Sequence, residues 1–316
     1  MEYYVGLDMG GTKTDVLIGD ETGKILARYV CPTGPVDDYT VFLIDCMVKA
    51  LSQCDISLCD IHAFSVCVPW ITSDESANRY RDYLQQKISN RNIFTHNDSY
   101  AAWRSASHYL PGGVLSAGTG ASLSFFLENE GKALAHGTSV LSEFQAGKAI
   151  GRQGFERGFA SAQRYYEPTS LSEAVYEFAN TNVIEEIRAK IKDESLQYPL
   201  FTPYVMDAAS KGDKVALELV ELVGKGLATH IRAGLTHLCL TDRKLEFILT
   251  GGVLKGQGNL LECVIRRCLT DIPTLKLVCA KYEPVYGALM IAYERYNVNK
   301  AIVINNEDIC TYKLLR

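Results

Sequence analysis

A strand, a glycine-rich turn and a second strand occur twice in this chain, once at its start and once in its second third. The first copy begins at Val5 and turns at Gly10–Thr12, and the second begins at Val114 and turns at Gly118–Gly120. A third apolar strand follows in both copies. Such a duplication predicts two similar lobes. Because glycine turns let backbone N–H groups approach an anion closely, we expect the two turns to bind one polyphosphate.

The composition fits about two domains, because the chain has 316 residues of which 47% are hydrophobic. A net charge of −5 gives no basic surface for nucleic acid, and no apolar run is long enough to span a bilayer. The first strand starts within about three residues of the N-terminus, which predicts no signal peptide. The ten cysteines include no Cys-x-x-Cys pair. We therefore expect reduced thiols, no structural metal and a cytoplasmic location.

The order of predicted elements favours a mixed α/β sheet in each lobe. Residues 3–30 are typical of a three-stranded meander, and helices then alternate with strands as far as residue 108. The segment Pro111–Gly113 interrupts the pattern, and the second copy begins there. That copy contains a long predicted helix over 213–239, a strand over 245–249 and a last helix over 285–296.

The first glycine turn carries the residue types that bind a phosphate chain. Gly10 and Gly11 permit positive φ and close backbone approach, Thr12 adds a hydroxyl donor and Lys13 adds a cation. Asp8, at the end of the first strand, is placed to hold Mg²⁺ through water, since hard cations prefer oxygen. The turn is not a P-loop, because Thr12 separates Gly11 from Lys13. The alternative is an ordinary glycine-rich hairpin with a surface lysine.

The second turn repeats this chemistry without the lysine. Gly118, Thr119 and Gly120 would be a weak signal alone, and they gain weight as the repeat of the first turn. In the same predicted lobe, Gly251 and Gly252 end a buried strand, which suits backbone approach to an adenosine base or ribose. A tight strand-to-helix turn is the alternative for this pair.

Asp98 is the candidate general base. It follows a short strand and Asn97 and precedes a predicted helix. A carboxylate that faces a bound hydroxyl takes its proton as phosphoryl transfer proceeds. The alternative is that Asp98 only caps the helix.

Six short segments in this order resemble the sugar-kinase and actin superfamily, and within it the BadF/BadG/BcrA/BcrD-type ATPase group that includes N-acetylglucosamine kinase and glucosamine kinase. Together they extend over nearly the whole chain. They are Gly6–Thr14, Asn97–Asp98, Ser116–Ser122, Ile150–Gln153, Leu249–Val253 and Pro284–Leu289.

The resemblance implies two ribonuclease-H-like lobes around a nucleotide cleft that binds ATP and Mg²⁺. Residues 1–110 would form the N-terminal lobe, joined by 285–316, and 111–284 would form the C-terminal lobe with a helical insertion. By the same resemblance Asp98 is the base and Asp8 serves the metal. Residues Gly10–Lys13 and Gly118–Gly120 hold the phosphates.

The acceptor half departs from the family pattern. Only Glu143 preserves an acid in the stretch before Ile150, where the family has two, and Phe144 replaces the second. The family's Ser-Thr-Asn sugar loop is here Cys31–Gly34, without the Asn. We therefore expect the substrate-binding residues to be Asn97, Asp98 and Glu143 around an altered acceptor pocket.

Three functions remain open from the sequence. The first is an ATP-dependent kinase of an amino sugar or similar small hydroxyl compound, active as a monomer or as a homodimer. The second is an ATPase coupled to a partner protein, like the activators of acyl-CoA dehydratases. Those share a [4Fe–4S] cluster, and only Cys67 and Cys239 lie near the lobe junction here. The third is a non-catalytic sugar or nucleotide sensor, which the presence of Asp98 argues against.

Overall fold

The computed structural model describes residues 1–106, 111–126, 133–138, 146–254, 259–280 and 282–296, with backbone alone for 133–138 and for Cys279. The predictions for Glu143, Phe144 and the tail 299–316 lie outside these residues. In the described part of the chain, no helix is both long and apolar enough to cross a membrane.

The described strands form two five-stranded sheets. They are β1 (Tyr3–Met9), β2 (Lys13–Asp20), β3 (Ile25–Pro32), β4 (Ile61–Cys67), β5 (Ile93–His96), β6 (Gly112–Ala117), β7 (Ala121–Phe126), β8 (Ala133–Thr138), β9 (Leu245–Thr250) and β10 (Leu275–Cys279). The α-helices are α1 (Tyr39–Leu51), α2 (Asp74–Ile88), α3 (Asp98–Arg104), α4 (Ala146–Ala162), α5 (Leu171–Ala179), α6 (Ile184–Lys192), α7 (Thr202–Ser210), α8 (Lys214–His237), α9 (Leu260–Cys268) and α10 (Pro284–Tyr296).

Both sheets follow one plan. The first has the order β3-β2-β1-β4-β5 and the second has the order β10-β9-β6-β7-β8. In each, three consecutive strands form a meander, and two later strands continue the sheet on the other side of the first strand. The duplication that the two glycine turns predict is therefore confirmed at the level of strand order. In the first sheet β1 and β2 are antiparallel, whereas β1, β4 and β5 are parallel.

The first sheet is covered on both faces because side chains alternate along β1. Val5 and Leu7 belong to the core that packs against α1 and α2, and Tyr4 belongs to the core that packs against α10. By the same alternation Gly6 and Asp8 lie on the α10 side. This places Asp8 at the carboxyl edge of the sheet, on the face that the last helix covers.

The last helix approaches β1 and α3 closely. A Cβ atom on Gly6 would lie 2.3 Å from the backbone nitrogen of Leu289, and one on Gly287 would lie 2.0 Å from the carbonyl oxygen of Ala101. Neither neighbour is a movable side-chain end, so both positions require glycine. Gly287 therefore serves the packing of α10 against α3.

The chain divides into two compact units. The first comprises Met1–Val114, Phe125–Leu134 and Val278–Arg316, and the second comprises Leu115–Ser124 and Ala135–Leu277. The predicted lobes, 1–110 with 285–316 and 111–284, stay predictions about independent domains.

Helix ends differ from the predicted ones by a few residues. The helix predicted from Ser99 begins at Asp98, and the long helix predicted over 213–239 is α8. Asp213 is its N-cap, because its carboxylate accepts a hydrogen bond of 3.1 Å from the backbone N–H of Ala216.

Candidate functional site

The carboxyl ends of the parallel strands β1, β4 and β5 meet at one edge of the first sheet. Asp8 lies near the end of β1, and Asp98 follows the end of β5. Burial raises the pKa of Asp8 well above its ordinary value, and the negative charges of Asp98 and Asp15 raise it further. The fold thus brings together the two carboxylates that the sequence identifies for metal binding and for proton transfer.

Asn97, and not Asp98, caps helix α3. The Asn97 Oδ1 atom accepts hydrogen bonds from the backbone N–H of Ser99 at 3.0 Å and from its hydroxyl at 2.6 Å. The alternative that Asp98 serves as the N-cap is therefore wrong. Asp98 is the first residue of the helix, and burial raises its pKa to about 6. A carboxyl with this pKa is ionised at neutral pH and still accepts a proton readily.

The Asn97 amide is fully used inside the protein. Besides capping α3, its Nδ2 atom donates to the carbonyl oxygens of Pro69 at 3.3 Å and Ile71 at 2.9 Å. These four hydrogen bonds exhaust the capacity of an asparagine side chain. They give Asn97 a positioning role, which fixes the start of α3 against the segment after β4. Direct contact between Asn97 and a substrate stays a prediction.

The first phosphate turn is tight and open to solvent. The Gly10 N–H donates to the Lys13 carbonyl at 2.9 Å, and the Thr33 N–H donates to the Thr12 carbonyl at 3.0 Å. Among the described glycines, only Gly23, Gly212 and Gly251 have left-handed φ angles. Gly10 and Gly11 therefore do not adopt the positive φ that glycine permits. A Cβ on Gly11 would meet no described atom within 4 Å, so the turn stays accessible to a ligand.

Lys13 belongs to a cluster of four charged groups that comprises Lys13, Asp15, Arg28 and Glu283. The Lys13 ammonium contacts Asp15 at 3.1 Å and forms an ion pair with Glu283. Arg28 binds both Asp15 oxygens, at 3.0 and 2.5 Å, and lies 3.0 Å from Glu283. Although burial alone would raise the pKa of Glu283, Lys13 and Arg28 outweigh it and lower that pKa. The Lys13 side chain remains 40% exposed, so a ligand can still reach it.

The glycine-turn motif itself does not include Asp15, Arg28 or Glu283. A signal existed, because Asp15 precedes the apolar run Val16–Ile18 of β2 and Arg28 is the one charged residue of β3, and a buried unpaired charge is costly. The sequence does not show that Glu283, at the start of α10, completes the cluster.

The chemistry at Asp8 fits a divalent cation. No described group donates a hydrogen bond to its carboxylate, and among the nearby charges only Lys13 favours ionisation. Among the described residues, no group of three or more His, Cys, Asp or Glu could hold a metal ion. A Mg²⁺ ion at Asp8 would therefore take its other ligands from water and from phosphate oxygens, as this ion does at nucleotide sites.

The second phosphate turn lies in the second unit, against the start of α4. The Gly118 N–H donates to the Gly120 carbonyl at 2.9 Å, so a backbone hydrogen bond closes this turn as well. The N–H groups of Gly147 and Lys148 donate to the carbonyls of Gly118 and Thr119 at 2.9 and 2.7 Å. These two hydrogen bonds from the first turn of α4 therefore hold the glycine turn in place.

The end of β9 meets the second phosphate turn at Ala117. Gly251 has a φ of +106°, and a Cβ there would lie 2.3 Å from the Ala117 carbonyl oxygen. The packing of the strand end therefore requires glycine at position 251. This agrees with the alternative interpretation, in which Gly251 forms a tight strand-to-helix turn. Gly252 has open space around its Cα, since a Cβ would meet no described atom within 4 Å. The adenosine role of both glycines stays a prediction.

The two cysteines considered for an iron–sulfur cluster have different environments. Cys67 is fully buried at the end of β4, and burial raises the pKa of its thiol. Cys239 is exposed at the end of the long helix segment. Because metal ligation needs a thiolate, the environment of Cys67 disfavours a cluster there.

A model of the BadF/BadG/BcrA/BcrD ATPase family matches residues 5–292 of the chain. Among curated relatives, the N-acetyl-D-glucosamine kinase of Dictyostelium discoideum is 22% identical over 313 residues, covering 92% of this chain and 98% of that protein. The N-acetylmuramic acid/N-acetylglucosamine kinase of Clostridium acetobutylicum is 21% identical over 302 residues, with the same two coverages.

A solved structure provisionally assigned as an N-acetylglucosamine kinase, from Chromobacterium violaceum, superposes with a TM-score of 0.67 at 17% identity. The match covers 92% of this chain and 99% of that one. At this identity it shows a shared fold. The predicted fold class, an α/β protein with two sheets of the actin-like ATPase type, is confirmed.

Proposed function

This chain belongs to the BadF/BadG/BcrA/BcrD ATPase family, and we propose that it transfers the γ-phosphate of ATP to a hydroxyl of an amino sugar or a closely related sugar. The observation that carries the proposal is that the Asp98 carboxylate is free of a capping role and has a raised pKa. Because Asn97 caps α3, the Asp98 carboxylate is not needed to begin the helix, and its pKa of about 6 suits a base at neutral pH.

In the proposed reaction Asp98 accepts the proton of the acceptor hydroxyl. The hydroxyl oxygen forms a bond to the γ-phosphorus while the bond between that phosphorus and the β,γ-bridging oxygen breaks, which releases ADP. The transition state carries its charge on the phosphoryl oxygens, so donors fixed around those oxygens lower the barrier. Backbone N–H groups of the two glycine turns are donors of this kind.

The phosphate-binding residues in the proposal are Gly10, Gly11, Thr12 and Lys13 of the first turn and Gly118, Thr119 and Gly120 of the second. Asp8 is the residue that would hold Mg²⁺, which supplies charge neutralisation on the phosphate oxygens when bound. The protein residues bind and orient the nucleotide, and Lys13 adds a cation that its partners Asp15 and Glu283 hold in place.

The acceptor class rests on the relatives. Both curated proteins named above are kinases of N-acetylated amino sugars. We extend this class to the present chain, with Asp98 and Glu143 as proposed substrate-binding residues and with Asn97 beside them as the residue that positions the start of α3. Gly251 and Gly252 are the proposed adenosine-binding residues, and we place the enzyme in the cytoplasm, where ATP and phosphorylated sugars are found.

The test is ADP release from ATP and Mg²⁺ with N-acetylglucosamine, glucosamine, N-acetylmannosamine, glucose or no sugar. Sugar-dependent release that Asp98→Asn abolishes is the expected result. Asp82→Asn is the matched control, because this aspartate on α2 is 61% exposed and should tolerate the change. ADP release that is independent of every sugar would instead favour a partner-coupled ATPase, and nucleotide binding without release would favour a sensor.

A further inference from the structure

Two aromatic side chains of the first unit form an exposed pair, which we call the aromatic platform and define as Tyr39 and Trp70. Each is 37% exposed, and their ring centroids lie 5.4 Å apart. Tyr80 supports Trp70 from one side, with its ring nearly perpendicular at 84° and 5.7 Å. Such an edge-to-face contact fixes the orientation of the indole while other parts of the ring stay accessible.

The platform is attached to the candidate base through Asn97. The Asn97 amide donates to Pro69 and Ile71, the residues on either side of Trp70. The Val68 N–H also donates to the His96 carbonyl at 2.9 Å, so the chain after β4 runs beside the chain that leads into Asp98. Trp70 is therefore fixed to the same sheet edge as Asp98.

Tyr39 brings a second segment of the acceptor half to this place. It begins α1, where the Asp38 carboxylate accepts a hydrogen bond of 2.7 Å from the Thr40 N–H. The preceding segment, Cys31–Gly34, corresponds to the sugar loop of the family and is joined to the first phosphate turn through Thr33. The platform thus joins the segment that follows the sugar loop to the segment that Asn97 holds.

The other strongly exposed aromatic rings with described contacts have different surroundings. Tyr83 lies under the Lys87 ammonium, and Tyr166 lies under the Arg157 guanidinium. These rings are covered by flexible cationic chains, as is common on protein surfaces. Trp70 instead packs between two other aromatic rings, and Asn97 holds the residues on either side of it. A partly exposed aromatic surface held in this way is typical of a ligand site.

We propose that the aromatic platform is the subsite that takes the pyranose ring of the acceptor. This inference rests on the proposed function and names the acceptor class within it, namely six-membered cyclic sugars. One face of a pyranose ring presents C–H bonds, whose positive ends match the negative face of an indole ring. Stacking of this kind also compensates for the family's sugar-loop asparagine, which this chain lacks.

The chain offers a direct optical test, since it has two tryptophans, Trp70 and Trp103. Trp103 is only 5% exposed, so a change in tryptophan emission on ligand binding should come from Trp70. The titration uses N-acetylglucosamine and glucosamine as pyranoses, sorbitol and glycerol as acyclic compounds, and a non-hydrolysable ATP analogue. The expected result is a saturable change with a pyranose that Trp70→Phe abolishes.

Kinetics supply the second readout. Trp70→Ala should raise the KM for the sugar by about 10- to 100-fold, with partial recovery in Trp70→Phe, because stacked aromatic contacts and buried area both contribute at this scale. The KM for ATP should stay within about twofold, since the platform does not bind the nucleotide in this scheme. Tyr83→Ala, which removes another exposed ring from the same unit, should change neither value.

The outcomes separate the two proposals. Sugar-dependent turnover with an unchanged sugar KM in Trp70→Ala would reject the platform and leave the kinase assignment standing. A tryptophan signal caused by the ATP analogue, and not by sugars, would also reject the platform as an acceptor subsite. If no sugar supports turnover, the kinase assignment fails. In that case the fluorescence titration alone tests the platform. A saturable signal with a pyranose would support a pyranose site at Trp70, and the absence of such a signal would reject it.

Discussion

Lys13 and Glu283 lie 270 positions apart in the chain and form an ion pair beside the first phosphate turn. Glu283 also lies 3.0 Å from Arg28, so one carboxylate balances part of the charge of two cations. The electrostatics of the turn therefore depend on a residue that immediately precedes α10, the last helix in the described part of the chain.

Glu283→Gln should destabilise the protein, because it leaves the partly buried Arg28 and Lys13 with Asp15 as their main partner. We expect the free energy of unfolding in urea at pH 7.5 to fall by about 1–3 kcal/mol. Glu75→Gln removes an exposed ion pair with Arg79 and should cost less than about 0.5 kcal/mol. The pKa of Glu283 is lower in the folded protein, so its contribution is present above its ordinary pKa of 4.5 and is lost as the pH falls further. An equal loss in both variants would contradict the cluster.

Asp98→Asn should stabilise the protein while it abolishes activity. Burial raises the pKa of Asp98 from 3.8 to about 6, so the folded wild type loses stability as the pH rises through this interval. Above it, removal of the charge should raise the free energy of unfolding by roughly 1–3 kcal/mol, and the kcat should fall by about 10²- to 10⁴-fold. Urea unfolding at pH 7.5 and pH 4 checks the first part, since the stability gain should shrink at pH 4. A destabilised variant would mean that Asp98 is a structural residue.

The pH dependence of kcat/KM reports the same group. Because Asp98 accepts a proton, only its ionised form is active, and its pKa is about 6. We expect kcat/KM for the sugar to be constant above this value and to fall by about tenfold for each pH unit below it. Steady-state rates between pH 5 and pH 8 measure the profile, with Asp82→Asn as a control that should reproduce it. A profile that is flat down to pH 5 would exclude Asp98 as the titrating base.

Two glycines of the first copy should respond differently to alanine. Gly6→Ala places a Cβ against the backbone of Leu289, so we expect a loss of about 3 kcal/mol or more, or failure to fold. Gly11→Ala meets no described atom and should fold normally, but its methyl group occupies the space through which a phosphate approaches the turn. Its KM for ATP should rise by about tenfold or more, at nearly unchanged stability. Thermal unfolding and ATP kinetics of the two variants separate an effect on packing from an effect on ligand binding. A KM for ATP that is unchanged in Gly11→Ala would show that Gly11 does not belong to the phosphate site.

Local patterns in the sequence predict the fold well. The alternation along β1, the repeated glycine turns and the helical period of α8 each depend on neighbours within a few residues, and they give the elements and their duplication. The contacts that complete the first unit are long-range. The requirement for glycine at Gly6 and the partner of Lys13 both come from α10, and no local pattern encodes them.

The candidate site shows the same difference between features that local patterns predict and features that depend on contacts in the folded protein. The sequence identifies Asp8 and Asp98 because carboxylates after buried strands are uncommon and chemically meaningful. It does not show which of Asn97 and Asp98 caps α3, since both residue types are good caps. Only the hydrogen bonds of Ser99 decide this. Gly10 and Gly11 do not adopt a positive φ, and at Gly11 the absence of a side chain leaves space beside the turn.

The position of α10 has a consequence for synthesis of the chain. Tyr4, Leu17 and Ala63 pack against Val285, Leu289 and Tyr293, so one face of the N-terminal sheet is covered by the last described helix. A nascent chain released from the ribosome before residue 284 would expose that apolar face. It would also lack the carboxylate that pairs with Lys13. We expect the first unit to complete its folding only after α10 has left the ribosome, in contrast to the usual order in which N-terminal domains fold first.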